Sequence, residues 1–456
     1  MSNPGDADDT PVTSIRDLAA YLASGCKPKT EFTIGTEHEA FGFRLNGFAP
    51  PGYDGADGIG ALLGGIEAEQ GFEPILDHGN TIGLKGRNGA SLSLEPGGQF
   101  ELSGGMLADL HATKGELDAH VVRVHAVAPG LGLGFAPLGF HPLARREDMP
   151  FMPKGRYKIM RDYMPKVGTR GLDMMLRTCT VQVNLDFCSE ADMVTKMRVG
   201  SALQPLATAL FANSPFYEGK PNGFLSNRAQ VWTDTDAARS GIPGVIFEEG
   251  FGFEAYANWL LDVPMYFVYR DGEFIDAAGA SFRDYMAGKL AAIPGQRATM
   301  GDFADHSTTA FPDVRLKRYI ETRGADSGRV EMMLAQSALW TGIFYDPAAL
   351  AAAAALIKGL SHPDILALRA AVPMRGVHTP FGAGTLRDLA REVVAIAQGG
   401  LKARARLNAA GADERIYLTP LAEIAAGGPT QAEYWLERYH GDWNGDVTRI
   451  FGEAAF

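Results

Sequence analysis

Glutamate, glutamine and arginine recur at every second position in several otherwise apolar segments of this chain, and that spacing is where its chemistry lies. In FTIGTEHEAFGF (32–43), Glu37 and Glu39 share one face of a strand, roughly 7 Å apart along it. In SLSLEPGGQFELSGG (91–105), Ser93 and Glu95 oppose Leu92 and Leu94; after the Pro-Gly-Gly break, Gln99 and Glu101 alternate with Phe100 and Leu102. CTVQVNLDF (179–187) sets Thr180, Gln182, Asn184 and Asp186 against Val181, Val183, Leu185 and Phe187. In RLKRYIETRGAD (315–326), Arg315, Lys317, Tyr319, Glu321 and Arg323 can share a face. One such strand is an ordinary wet face of an antiparallel sheet. Four of them, rich in Glu and Gln, place carboxylates where they repel one another unless cations intervene. Hard divalent ions such as Mg²⁺ take oxygen ligands and keep substrate phosphates in their shell. Glu37, Glu39, Glu95, Glu101 and Glu321 beside arginine and lysine therefore suit magnesium-nucleotide chemistry, in which metals and basic side chains neutralise a transferring phosphoryl group.

The elements that must position these residues follow from the same periodicities. Residues 31–45 read as a strand, and the glycine-dense stretch 47–105 as strands, turns and close backbone approaches. Residues 14–24, 106–128 and 192–212 have helical spacing, the last interrupted by Pro205, and VPMYFVYR (263–270) is strand-like. Residues 347–360, 385–398 and 430–439 are alanine- and leucine-rich with helical spacing. The expected organisation is a disordered tail over 1–13, a catalytic domain over 14–345, and a helical C-terminal part over 346–456 packed on it. The basic segment 150–168, with Lys154 and Arg156, reads most simply as a solvated loop and helix, and His38 as a structural histidine.

The 456 residues carry 42 basic and 54 acidic side chains, a formal charge of −12, which argues against nucleic acid and anionic membranes as partners. No run of 18 apolar residues occurs. Three cysteines, Cys26, Cys179 and Cys188, form no disulfide framework and point to a reducing compartment; with an acidic N-terminus lacking an apolar core, the expected location is cytoplasmic. Walker A, dinucleotide-fingerprint, HExxH, CxxC and GxSxG motifs are all missing, which removes most of the case for P-loop kinases, Rossmann dehydrogenases, zinc enzymes and α/β-hydrolases.

The segments IGTEHEAFGF (34–43), SLSLEPGGQFELSG (91–104), MPKGRYKIMRDYMPKVG (152–168), GLDMMLRTCTVQVNLDF (171–187), ALFANSPFYEGKPNGFLSNRAQVWTDTD (209–236), LDVPMYFVYR (261–270) and RLKRYIETRGAD (315–326) resemble, in matching order, the plant and alphaproteobacterial type of glutamate–cysteine ligase. The resemblance implies an α+β, glutamine-synthetase-like fold: a curved, mainly antiparallel sheet with helices behind it. It implies ATP-dependent joining of the L-glutamate γ-carboxyl to L-cysteine through a γ-glutamyl phosphate, the first step of glutathione synthesis, with Mg²⁺ (or Mn²⁺) and ATP as co-substrate. Carried over residue by residue, it gives Glu37, Glu39, Glu95, Glu101, Gln182 and Glu321 as metal ligands. Glu39, Glu321 and Arg323 are its catalytic residues, and Arg315, Lys317 and Arg318 its triphosphate contacts. Arg228 and Trp232, walled by Tyr266 and Tyr269, form its glutamate pocket; Met175, Thr178 and Cys179 line its acceptor side. Two cysteine pairs that act as redox switches in plant members correspond here to Lys114, Leu334, Ala277 and Ala292, so no redox-switch disulfide is expected, and the chain is expected to be a monomer or weak homodimer. Three alternatives stay open: a carboxylate–amine ligase with another acceptor, a non-catalytic glutamate- or nucleotide-binding relative, and a metal-dependent hydrolase, the last disfavoured by the lack of His-rich ligand spacing.

Overall fold

Alternating apolar and polar residues build one large antiparallel sheet, described here from a computed structural model covering residues 8–68, 72–86 and 89–456. Its nine strands are β1 (Ile34–Arg44), β2 (Phe72–Asp77), β3 (Asn80–Gly86), β4 (Ser91–Leu94), β5 (Phe100–Ser103), β6 (Leu133–Ala136), β7 (Thr180–Leu185), β8 (Val314–Leu316) and β9 (Ile320–Asp326). They run in the order β8-β9-β7-β1-β5-β4-β3-β2, with β6 also paired to β1. The long central strand β1 thus meets β7 along Ile34–His38 and β5 along Glu37–Ala40.

Register decides which residues meet. Glu39 lies opposite Glu101, Glu37 opposite both Gln182 and Ser103, and Glu101 opposite Ser93. On the far side of β7, Asn184 lies opposite Glu321, and Glu321 opposite Arg315. Directly paired residues share a face of the pleat, so one face of the sheet collects the carboxylates and the arginine. The other face carries Ala40, Leu84, Leu92, Leu94, Phe100, Leu102 and Val181. It packs against helix α1 (Leu110–Val127) and, through Ile34, Val183, Leu185, Leu316 and Ile320, against helices α2 (Glu190–Leu210) and α3 (Val330–Phe344). Caps start the first two helices: Asp109 accepts from the Ala112 amide at 2.9 Å, and Ser189 from that of Asp192 at 3.2 Å. His38 lies on the apolar face, its ring 5.0 Å from that of His120, and burial lowers its pKa to about 4. It is a neutral packing residue, as its setting in the strand implied.

Two sequence expectations about the ends of the chain meet different outcomes. Of the tail expected over 1–13, residues 1–7 lie outside the described residues, while residues 8–13 are seated on the molecule. Pro11 bridges Thr299, Val12 donates its amide to the Ala298 carbonyl at 3.0 Å, and the Val12 side chain is buried. Beyond Asp346 the chain is largely helical, and helix α4 (Leu386–Arg404) presses on α3 so closely that glycine is required at the crossing. A Cβ on Gly400 would lie 1.9 Å from the Gly342 carbonyl oxygen. Among the described residues no single helix is long and apolar enough to cross a membrane.

Candidate active site

A cavity opens over the polar face of the sheet. Its floor holds Glu39, Glu101, Gln182, Arg315 and Arg323, and its wall includes Glu95, Gln99, Arg156, Tyr157, Met160, Met174, Met175, Thr178, Arg228, Trp232 and Phe311. A second chamber adjoins it and shares Arg228, Trp232, Phe311 and Arg323.

The carboxylates fall into two groups by what holds them. Glu39 and Glu101 lie across the strand pair, and Glu95 reaches in from the turn after β4. That turn needs its glycines: Gly98 has φ +82°, and a Cβ on Gly97 would lie 2.3 Å from the Leu176 carbonyl oxygen. Glu101 accepts from the hydroxyls of Ser93 (2.6 Å) and Ser103 (2.7 Å), and Glu39 from the Thr180 amide (3.0 Å). Burial, then the charges of Glu95 and Glu101, raise the Glu39 pKa well above the usual carboxylate range, with Arg228 opposing; burial and Glu101 likewise raise Glu95. Glu101 goes the other way, to about 2: burial would raise it, but the Ser93 and Ser103 hydroxyls and Lys154 hold it down.

Glu321 is the opposite case to Glu39. Arg315 (2.7 Å), Lys317 (3.1 Å) and Arg323 (2.6 Å) surround its fully buried carboxylate. Burial alone would raise its pKa, but these three cations hold it well below the ordinary value. Glu37 accepts from Asn184 Nδ2 (2.8 Å) and Gln182 Nε2 (3.3 Å), while the Gln182 carbonyl oxygen takes an Arg323 N–H. The six oxygen donors expected around metal are therefore divided between Glu39, Glu95 and Glu101, which face the cavity, and Glu37, Gln182 and Glu321, which are tied to amides or cations. Among the described residues no group of three His, Cys, Asp or Glu side chains already has the spacing of a metal shell. The donor chemistry nevertheless fits Mg²⁺, which binds through one or two carboxylates plus waters and substrate phosphates and needs no preformed protein cage.

Arg228 is placed by a buried relay. Asp326, at the end of β9, accepts from the Asn213 amide (2.8 Å), Ser214 Oγ (2.6 Å) and Ser226 Oγ (2.8 Å). Ser226 caps the short helix Asn227–Val231, Ser214 Oγ takes the Arg228 amide at 3.2 Å, and Arg228 Nη2 donates to the Arg323 carbonyl at 2.9 Å. This leaves Arg228 Nε and Trp232 Nε1 without a hydrogen-bond partner among the described residues. Both residues line the two chambers, as donors for an anionic ligand. Asp326→Ala strands three donors in the interior, and a loss of about 3 kcal/mol in urea unfolding is expected.

Met175 and Thr178 line the cavity. Four expectations are corrected by the geometry. Cys179 is fully buried just before β7, in a core cluster with Phe41, Ala136 and Trp435, and is not among the residues that line the cavity. Tyr266 is buried under Arg239, whose guanidinium carbon lies 3.8 Å from the ring centroid, and its hydroxyl meets Met164 Sδ at 3.6 Å. Tyr269 lines a separate cleft with Asp77, Ile82 and Phe274. Arg318 is exposed at the turn between β8 and β9 and stacks over Tyr21 at 5.6 Å. The alanine variants of Tyr269 and Arg318 are expected to keep kcat/KM for all three substrates within about threefold of wild type, as surface changes away from a site usually do; a loss above tenfold in coupled ADP-release assays would return either residue to the site. In the other direction, Lys154, Arg156, Tyr157 and Gln99 were passed over. Gln99 Nε2 donates to the carbonyls of Met175 (3.1 Å) and Thr178 (3.0 Å), fixing that wall of the cavity to the β4–β5 turn.

An antiparallel sheet whose polar face gathers oxygen donors and cations beneath a wall of loops is the working surface of a glutamine-synthetase-like ligase. A solved glutamate–cysteine ligase of Francisella tularensis in complex with AMP shares the fold, with a TM-score of 0.55 at 13% identity over 94% of this chain and 88% of that one. The sequence is specific where the fold is general. The family model described as glutamate–cysteine ligase family 2 matches residues 33–453, and the chain belongs to that family. It is 51% identical over 440 residues to the chloroplastic glutamate–cysteine ligase of Arabidopsis thaliana, covering 96% of this chain and 82% of the relative. It is 50% identical over 441 residues to that of Medicago truncatula, covering 97% and 85%. The family's activity is ATP-dependent formation of γ-glutamylcysteine for glutathione synthesis. The cytoplasmic location expected from the sequence is corrected by these relatives, which are named for the chloroplast. Cysteine content reads only the redox state of a compartment, not which compartment it is.

Proposed function

We propose that the cavity on the polar face is where this chain joins the γ-carboxyl of L-glutamate to the amine of L-cysteine, and that its residues divide the work by charge. The observation that carries this is the register: Glu39 directly opposite Glu101, and Glu321 opposite Arg315, on one face beneath one cavity. Arg228 and Trp232, with their unpartnered donors, hold the glutamate. Met175 and Thr178 form the acceptor wall. Glu39, Glu95 and Glu101 would hold Mg²⁺, which when bound would neutralise charge on the ATP phosphates. Glu321 clusters Arg315, Lys317 and Arg323, and the two arginines reach the transferring phosphoryl group; Glu37 and Gln182 fix the orientation of this cluster. A γ-carboxylate oxygen attacks the terminal phosphorus and ADP leaves. The cysteine amine then attacks the acyl carbon, and phosphate departs with the oxygen that came from glutamate. Positioning and fixed charge supply the acceleration, as in phosphoryl transfer generally.

With Lys114, Leu334, Ala277 and Ala292 at the plant switch positions, turnover is proposed to be independent of disulfide chemistry. The test is ADP release with ATP, Mg²⁺ and glutamate as the amine is varied. Cysteine-dependent ADP release matched by γ-glutamylcysteine supports the assignment, and equal turnover with a different amine would reassign the acceptor.

A further inference from the structure

We infer that Asp313, held in place by Arg369, is the residue that reads the α-ammonium group of the amino acid bound in the second chamber. The inference deepens the reading of Arg228 and Trp232 as the glutamate pocket and rests on it. Three arginines line that chamber, Arg228, Arg323 and Arg369, and Asp313 is the one carboxylate among the described residues that do so. An α-amino acid carries both charges on one carbon, so a pocket of cations alone meets only half of it. Burying the ammonium without an acceptor costs more than the hydrogen bond it could otherwise make. Arg228 Nε and Trp232 Nε1 are the donors left for the α-carboxylate, and Asp313 offers the acceptor in the same chamber. Its backbone is fixed on both sides. The Asp313 carbonyl accepts the Arg323 amide at 3.0 Å, continuing the pairing of Val314 with Thr322, and the Asp313 amide donates to the Gly241 carbonyl at 2.7 Å. Arg369, on helix His362–Arg375, grips the carboxylate with Nε on Oδ2 at 2.7 Å and Nη2 on Oδ1 at 3.2 Å. The same Nη2 meets the Trp232 carbonyl at 3.4 Å, so one guanidinium ties the acceptor to the segment that bears the indole donor. The pairing does not use up Asp313: a carboxylate has about four acceptor sites, and 15% of this side chain stays accessible. Arg228, Trp232, Phe311 and Arg323 also line the main cavity. An amino acid with its head against Asp313 therefore extends its side chain toward the carboxylates and cations of the sheet.

The experiment is steady-state kinetics of the full chain with glutamate, together with inhibition by glutarate, which keeps both carboxylates and lacks the amino group. Asp313→Asn is expected to raise the KM for glutamate by about tenfold to a hundredfold, the worth of one hydrogen bond to a charged group. Its kcat should stay within about threefold of wild type, because the ammonium takes no part in the bond changes and its binding is shared by ground and transition states. Glutarate has no ammonium to lose, so its Ki should stay within about threefold. A residue that only braced the fold would weaken both ligands alike, so equal weakening, or an unchanged KM for glutamate, would overturn the inference. If D313N does not fold, the decisive variant is D313N/R369M, which removes both members of the pair and leaves no buried charge unpaired. It should lose most of the preference for glutamate over glutarate, and a preference equal to that of wild type would overturn the inference. Arg228→Met separates the two levels: both ligands carry the carboxylate it would hold, so both should weaken. If neither does, the glutamate-pocket reading itself fails and this inference with it.

Discussion

Replacing Glu39 by glutamine is expected to lower ADP release by about a thousandfold or more while raising thermal stability. The two halves have one cause. Glu39 faces Glu101 directly and shares the cavity with Glu95. Loss of a ligand to the ion that would neutralise the transferring phosphoryl group removes much of the charge stabilisation on which that step depends. In metal-free protein the same carboxylate is a liability, because burial and two like charges raise its pKa. A group whose folded pKa is raised binds its proton more tightly in the folded state, so its ionisation removes stability as pH rises above the unfolded carboxylate value. Glutamine removes that charge and keeps the shape, so the variant should melt higher than wild type in chelator near neutral pH. The gain should shrink as the pH is lowered and the wild-type carboxyl becomes protonated. Near-native turnover would take Glu39 out of the chemistry.

Arg323→Met is expected to have the second-largest effect, a fall in kcat of about a thousandfold with modest change in the KM for glutamate. Arg323 lines both chambers, touches Gln182 and is one of the three cations on Glu321. A cation placed on a transferring phosphoryl group is worth three to five orders of magnitude in comparable systems. Its loss leaves Glu321 with Arg315 and Lys317, so the fold should survive. Lysine at this position should recover little, because one ammonium cannot meet Gln182, Glu321 and a phosphoryl oxygen in a fixed plane. Steady-state kinetics with ATP and glutamate varied independently separate this from a binding defect, which would appear as a raised KM at unchanged kcat.

The polar face of the sheet was legible in the sequence because a strand has a period of two and cannot hide it. Glu37, Glu39, Glu101, Gln182, Arg315 and Glu321 follow from that alternation, and their register brings them onto one face. The same rule held an unused signal for Cys179, in phase with Val181 and Val183 in the sequence; it lies just before β7 and is buried in a core cluster. Arg318 breaks phase as well: it follows Lys317 in the turn, where the Lys317 amide bonds the Tyr319 carbonyl, and so points away. The tyrosines failed for another reason. Tyr266 lies just before the paired strand Phe267–Arg270, and what it packs against is set by distant segments such as Met164 and Arg239; Tyr269 is in that strand, but the strand pairs only with its own hairpin partner Glu273–Asp276, away from the large sheet. Lys154, read from the sequence as solvated, caps the helix that carries Tyr157, and a short helix entered from a proline- and glycine-containing loop gives no sign of what it packs on; only folding shows that both reach the Leu94 carbonyl.

The transfer of an oxygen atom tests the chemistry of this cavity most directly. Glutamate labelled with ¹⁸O in its γ-carboxylate is turned over with ATP, Mg²⁺ and cysteine, and the phosphate is analysed by mass spectrometry. One ¹⁸O per phosphate, in step with γ-glutamylcysteine, is the result expected if the carboxylates and cations of this face assemble an acyl phosphate. Unlabelled phosphate accompanying dipeptide formation would contradict it.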